Sequence, residues 1–155
     1  MNSPNPLAPK KSSGLFTDFD AQKESLDIDE AKIRDHFVEI PAQIAFAGST
    51  CAMLGREASN RHYIYKQQRA LLKERLRADA SVKGERVTES RLDAMVEADY
   101  DILNWYNSYI EAQEEYELAK AHLDGLRTKR DMLINLGAHL RTEMQTMGMS
   151  QLGEG

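Results

Sequence analysis

His62, Lys66, Arg69, Lys73 and Arg77 recur at intervals of three or four residues. At 100° per residue they fall within about 80° of one another on a helix. A stripe of cations like this suits one kind of chemistry, the holding of phosphates along an extended backbone, which needs no base-reading geometry. Arg75 flanks Leu72 and Leu76 on the other side, so basic groups stand on both shoulders of a leucine edge. The stretch RADASVKGER, from Arg77 onward, continues the positive charge beyond that helix. A plainer reading has the same bases paired with the acidic segment at 92–118. Exposed ion pairs of that sort contribute about 1 kcal/mol or less.

Other chemistries find little footing. His36, His62, His122 and His139 are far apart in sequence, and no Glu-x-x-His pair of the di-iron type occurs. There is no Cys/His zinc spacing and no glycine-rich phosphate loop. Asp99 and Asp101 lie two apart, which on a helix points them in different directions. Cys51 sits on a predicted apolar seam, which suits a packed, inert thiol. Trp105 and the tyrosines at 100, 106, 109 and 116 read as core or interface residues. The expectation is a protein that is not an enzyme and uses no cofactor or metal.

The charges that position the stripe are strongly segregated. Residues 61–91 hold nine Lys/Arg against four Asp/Glu, whereas residues 92–118 hold eight acids and no Lys or Arg. The net charge of −5 over 155 residues hides this contrast, and block asymmetry matters more for partner choice than the sum does. A single cysteine permits no intrachain disulfide, which fits a reducing cytoplasm. The N-terminus lacks the apolar run of a secretory signal. The most apolar window, residues 42–54, reads as too short and too mixed to span a bilayer, so no membrane is expected.

The elements follow from periodicity and punctuation. Residues 1–25, with Pro4, Pro6 and Pro9, read as a disordered tail that includes the aromatic and acidic cluster LFTDFD at 15–20. Ile33, Phe37 and Ile40 suggest a short helix over 27–40, capped by Asp27 or Asp29. Pro41 then marks the start of a new helix running to about Ala80. Ile44, Cys51, Ala58, Tyr65 and Leu72 are spaced by seven along it, with Ala47 and Leu54 in the neighbouring row. Gly84 ends it and Thr88 caps the next helix. A second long helix is predicted from about Glu89 to Met147, with Gly125 and Gly137 as places to bend, and residues 148–155 as a frayed tail. Leu126, Leu133, Leu140 and Met147 repeat at seven and are the predicted oligomerisation row.

The fold class expected is therefore all-α: a long helical hairpin with a short N-terminal helix, over residues 26–147, oligomerising through coiled-coil-like seams. A helix ending in Leu72, Lys73, Glu74, Arg75 and Leu76, then a loop, then the acidic EADYDIL at 97–103, resembles the UvsY-type recombination mediators of T-even phages over about residues 60–145. The resemblance implies a non-enzymatic, ring-like homo-oligomer in the cytoplasm of an infected bacterial host. It implies binding of single-stranded DNA and help for a RecA-like recombinase in replacing the single-strand binding protein. It also implies that Lys73 and Arg75 contact the strand. Lys66, Arg69 and Arg77 join them from the helical stripe. The alternative is a structural or adaptor coiled-coil protein, such as a virion component or scaffold, that binds no nucleic acid.

Overall fold

The computed structural model describes residues 19–152. Among them are four α-helices and no strand: α1 (Phe19–Leu26), α2 (Ile33–Val82), α3 (Glu89–Glu97) and α4 (Tyr100–Leu152), with a 3-10 turn at Glu30–Lys32. The long helices α2 and α4, of 50 and 53 residues, pack antiparallel as the hairpin expected. Contacts divide the chain into two compact units. One is Ala52–Leu118, and the other joins residues 19–51 to 119–152.

The second unit is built on Ile40 and Ala47 of α2 against Leu123, Leu126 and Leu133 of α4, with Leu26, Ile28, Ile44 and Cys51 packed around them. Leu126 and Leu133 are thus covered within the chain, at 1% and 0% exposure, whereas Leu140 and Met147 of the same row are exposed. Helix α1 falls inside the segment expected to be disordered, and its end is tied down. The buried ammonium of Lys129 donates to the Ser25 carbonyl at 2.7 Å, satisfying an acceptor in the last turn of α1. Burial holds the Lys129 pKa below its ordinary value, and Glu39 and Asp27 oppose that shift. Leu26 lies against Gly125 and Phe37 against Gly137, where a Cβ would stand 2.9 and 3.2 Å from their side chains. These two glycines let side chains approach α4, which continues as helix through both.

Two further expectations are corrected. Pro41 lies inside α2 and does not begin a helix. An interior proline removes one helical hydrogen bond and costs about 3 kcal/mol. Burial of Ile40 immediately before it, and of Ala47 after it, offsets that cost. The apolar stretch around it is also longer than it reads when cut at 42–54. An 18-residue window in α2 has mean hydropathy 1.3, long and apolar enough to cross a membrane by length and composition, and 22% of it is buried. Residues 1–18, which include most of the proline-rich tail and the start of LFTDFD, lie outside the described residues. At the other end α4 continues as helix through Leu152, past the predicted onset of fraying.

In the unit Ala52–Leu118, the expected single helix from Glu89 is two helices. The apolar residues show why. Leu92 and Val96 form the buried face of α3, and the next buried position is Ile102, six residues after Val96. A heptad continuation would have used Leu103, which is 46% exposed. The chain absorbs this slip of phase by breaking at Ala98–Asp99. The Asp99 carboxylate then accepts from the backbone N–H groups of Asp101 and Ile102, at 3.0 and 3.1 Å, and starts α4. The first break is where the sequence put it: α2 stops at Val82, Gly84 turns the chain with φ +70°, and Thr88 caps α3.

Candidate nucleic-acid interface

The end of α2 and the whole of α3 position the basic residues. Both are short of apolar surface here: α2 offers the half-buried Leu72 and Leu76, α3 offers the buried Leu92 and Val96, and the ion pairs between the two helices bring these edges together. Beside that narrow seam the charged residues form rungs. Arg69 donates to Glu97 at 3.1 Å, Lys73 to Asp93 at 2.7 Å and Arg77 to Glu89 at 2.7 Å. Each step of four forward on α2 is matched by a step of four backward on α3. The bonds are therefore one antiparallel ladder, with a helical turn between rungs. Secondary contacts stiffen it: Lys73 to Glu89 at 3.0 Å, Arg69 to Asp93 at 3.8 Å, and Arg77 to Glu74 on its own helix.

The electrostatics follow from these bonds. The Lys73 ammonium is held above its ordinary pKa, first by its hydrogen bond to Asp93 and then by Glu89. Arg77 is raised by Glu89 and then by Glu74. Glu89 is pushed below the usual carboxylate value by Lys73 and then by Arg77. In the middle of the unit, Arg61 reaches Glu57 at 2.8 Å and the Ser108 hydroxyl at 3.1 Å, and His62 stacks on Tyr109 with ring centroids 4.5 Å apart. His62 therefore belongs to packing between α2 and α4 and not to an open stripe.

The five basic residues picked from the sequence thus divide. Lys73, Arg69 and Arg77 are engaged by α3 carboxylates. Lys66 and Arg75 are exposed and make no ion pair among the described residues. Arg91 of α3 is exposed in the same way, and sequence reasoning passed over it. Its signal was present: it is the last base before eight acids, and it lies next to the apolar Leu92. No group of three or more His, Cys, Asp or Glu placed to hold a metal occurs among the described residues. No family model, curated protein or solved structure matches the chain.

Proposed function

We propose that the protein is a non-enzymatic mediator of DNA recombination. It binds single-stranded DNA as a homo-oligomer and helps a RecA-like recombinase displace the single-strand binding protein. The observation that carries this reading is the exposed Arg75 near the end of α2, which has no ion pair among the described residues and lies inside a segment with nine bases against four acids. The resemblance supports it as well: Leu72–Leu76 lies near the end of α2, a loop follows Val82, and the acidic EADYDIL lies across the end of α3 and the start of α4. A labelled oligothymidylate titrated with the protein at low salt, then released by added salt, tests it. Binding with a steep inverse dependence on salt is the expected result. No binding at low salt overturns the reading.

One observation favours a second reading, an adaptor or scaffold built by helix association. Val38, 74% exposed, lies on the face of α2 opposite Ile40 and Ala47, and Phe46, 73% exposed, lies on the flank about 100° from Ala47, so that stretch of helix is apolar on more than one side. Light scattering combined with the DNA titration separates the two. Oligomers that ignore DNA belong to the adaptor.

A further inference from the structure

The ladder sets a register that reaches beyond its own rungs. Counting four forward on α2 and four backward on α3, the level midway between the Lys73–Asp93 and Arg77–Glu89 rungs brings Arg75 opposite Arg91. Both are turned away from the ladder: each lies about 160° around its helix from the neighbouring rung residue, Lys73 or Asp93. With the ladder on one side of the Leu72/Leu76–Leu92/Val96 seam, both arginines fall on the other. Both are exposed and neither has an ion pair among the described residues. The same count places Leu71 opposite Met95 one turn away on this shoulder, 55% and 44% exposed. Asp79 lies one turn beyond Arg75 on the same side of α2.

The two shoulders of the α2–α3 pair therefore differ in kind. One is neutralised rung by rung. The other sets two like charges at one level, which repel unless an anion lies between them, beside two bare apolar side chains. We infer that the Arg75–Arg91 shoulder is the strand-binding surface. The arginines would take successive phosphates of a single strand, with an unstacked base against Leu71 and Met95. The ladder of Lys73, Arg69 and Arg77 would fix the register that lines them up. The inference rests on the single-strand-binding reading and narrows it to a different set of residues, with Arg91 as a member. Guanidinium groups suit phosphate oxygens through paired N–H donors. Exposed apolar side chains favour a strand whose base faces are free over a duplex that hides them.

The test uses the full-length protein and fluorescein-labelled oligothymidylate, with helicity and mass checked for each variant. Arg75→Ala with Arg91→Ala should lower affinity roughly ten-fold or more and reduce the slope of log affinity against log salt by about 1.4, or about 0.7 per phosphate contact. Lys73→Gln with Asp93→Asn keeps a hydrogen-bonding pair at that rung and is neutral as a pair, so it should leave the salt slope unchanged and cost less affinity than the double arginine variant. Asp79→Asn should tighten binding. Duplex of the same length should bind more weakly than the single strand. Wild-type affinity and slope in the double arginine variant, with loss in the rung variant, would place the strand on the ladder face and overturn the inference. Equal binding of duplex would remove the base contact at Leu71 and Met95. Failure of the wild-type protein to bind any strand is a different outcome, since it removes the reading on which this inference stands.

Discussion

At the scale of single residues, position in the fold assigns the same chemical group quite different work. Four histidines look alike in the sequence. Burial displaces the pKa of His122 to below the ordinary imidazole value. Its partner fixes its tautomer. The single hydrogen of the Ser25 hydroxyl goes to the Gln22 carbonyl at 2.7 Å, so at 3.0 Å the His122 Nε2 must be the donor to Ser25. The stability consequence has a definite sign. A depressed folded-state pKa means the unfolded chain takes up the proton first, so the stabilisation is present above about pH 6.5 and declines as pH falls through that value toward the folded pKa. Thermal melts at pH 7.5 and pH 5.5 should show a loss on acidification that His122→Gln reduces. An identical pH dependence in the variant would mean that another group is responsible. Glu89 works in a lower window. Its depressed pKa gives stabilisation that is present above about 4.5 and is lost only as pH falls below it, so a melt series across pH 6 to 5 reports His122 and not the ladder.

At the scale of elements, the short helix α3 shows how stability and register are separated. Its two buried aliphatics, Leu92 and Val96, supply the cohesion; its three carboxylates supply alignment. Leu92→Ala should cost about 2–5 kcal/mol, the range for emptying a buried leucine site. Asp93→Asn removes exposed ion pairs and should cost under about 1 kcal/mol. Urea denaturation of the two variants checks the ranking, and comparable losses would show that the ladder holds the helix down as well as aligning it. Much of this element was legible. Gly84 and Thr88 punctuate its start, and the contrast of basic 61–91 with acidic 92–118 anticipates the pairing across the turn. Its end was not, because two rows spaced by seven run through it on paper, Val96–Leu103–Ile110 and Met95–Ile102–Tyr109, and only packing shows that burial passes from Val96 in one to Ile102 in the other. Asp99 carried the signal, an N-cap residue, but read as half of an unpromising pair of carboxylates. Pro41 misled for the opposite reason. A local breaker was outweighed by the burial of Ile40 and Ala47, which no local rule weighs. Of the candidate site, the basic segment was legible and the choice among its members was not. Which cations stay free depends on the α2–α3 register, and that is set by contacts between residues twelve to twenty-eight apart.

At the scale of the whole molecule, assembly turns on how many chains share the apolar surface. Heptads on α2 and α4 led to the expectation of an oligomer. The structure covers Leu126 and Leu133 within one chain, and leaves Val38, Phe46, Leu140 and Met147 exposed. Gly48 is a probe of that balance. It sits inside α2 with nothing among the described residues within 4 Å of where a Cβ would be, so its smallness serves no packing purpose among them. Glycine inside a helix costs about 1 kcal/mol relative to alanine. If this face of α2 stays open to water, Gly48→Ala should stabilise the protein by up to about that amount and raise the melting temperature by roughly 2–4 °C. If helices from a second copy approach here closely enough to need a bare Cα, the added methyl should instead lower the oligomer mass or the melting temperature. Melting measured over a hundred-fold range of protein concentration distinguishes the cases. The proposed homo-oligomer can survive the first outcome only by using another surface, such as the exposed Leu140 and Met147 on α4. Leu140→Asp with Met147→Asp, added to the Gly48→Ala background, should then reduce the mass to that of a single chain while leaving the Leu126–Leu133 core folded.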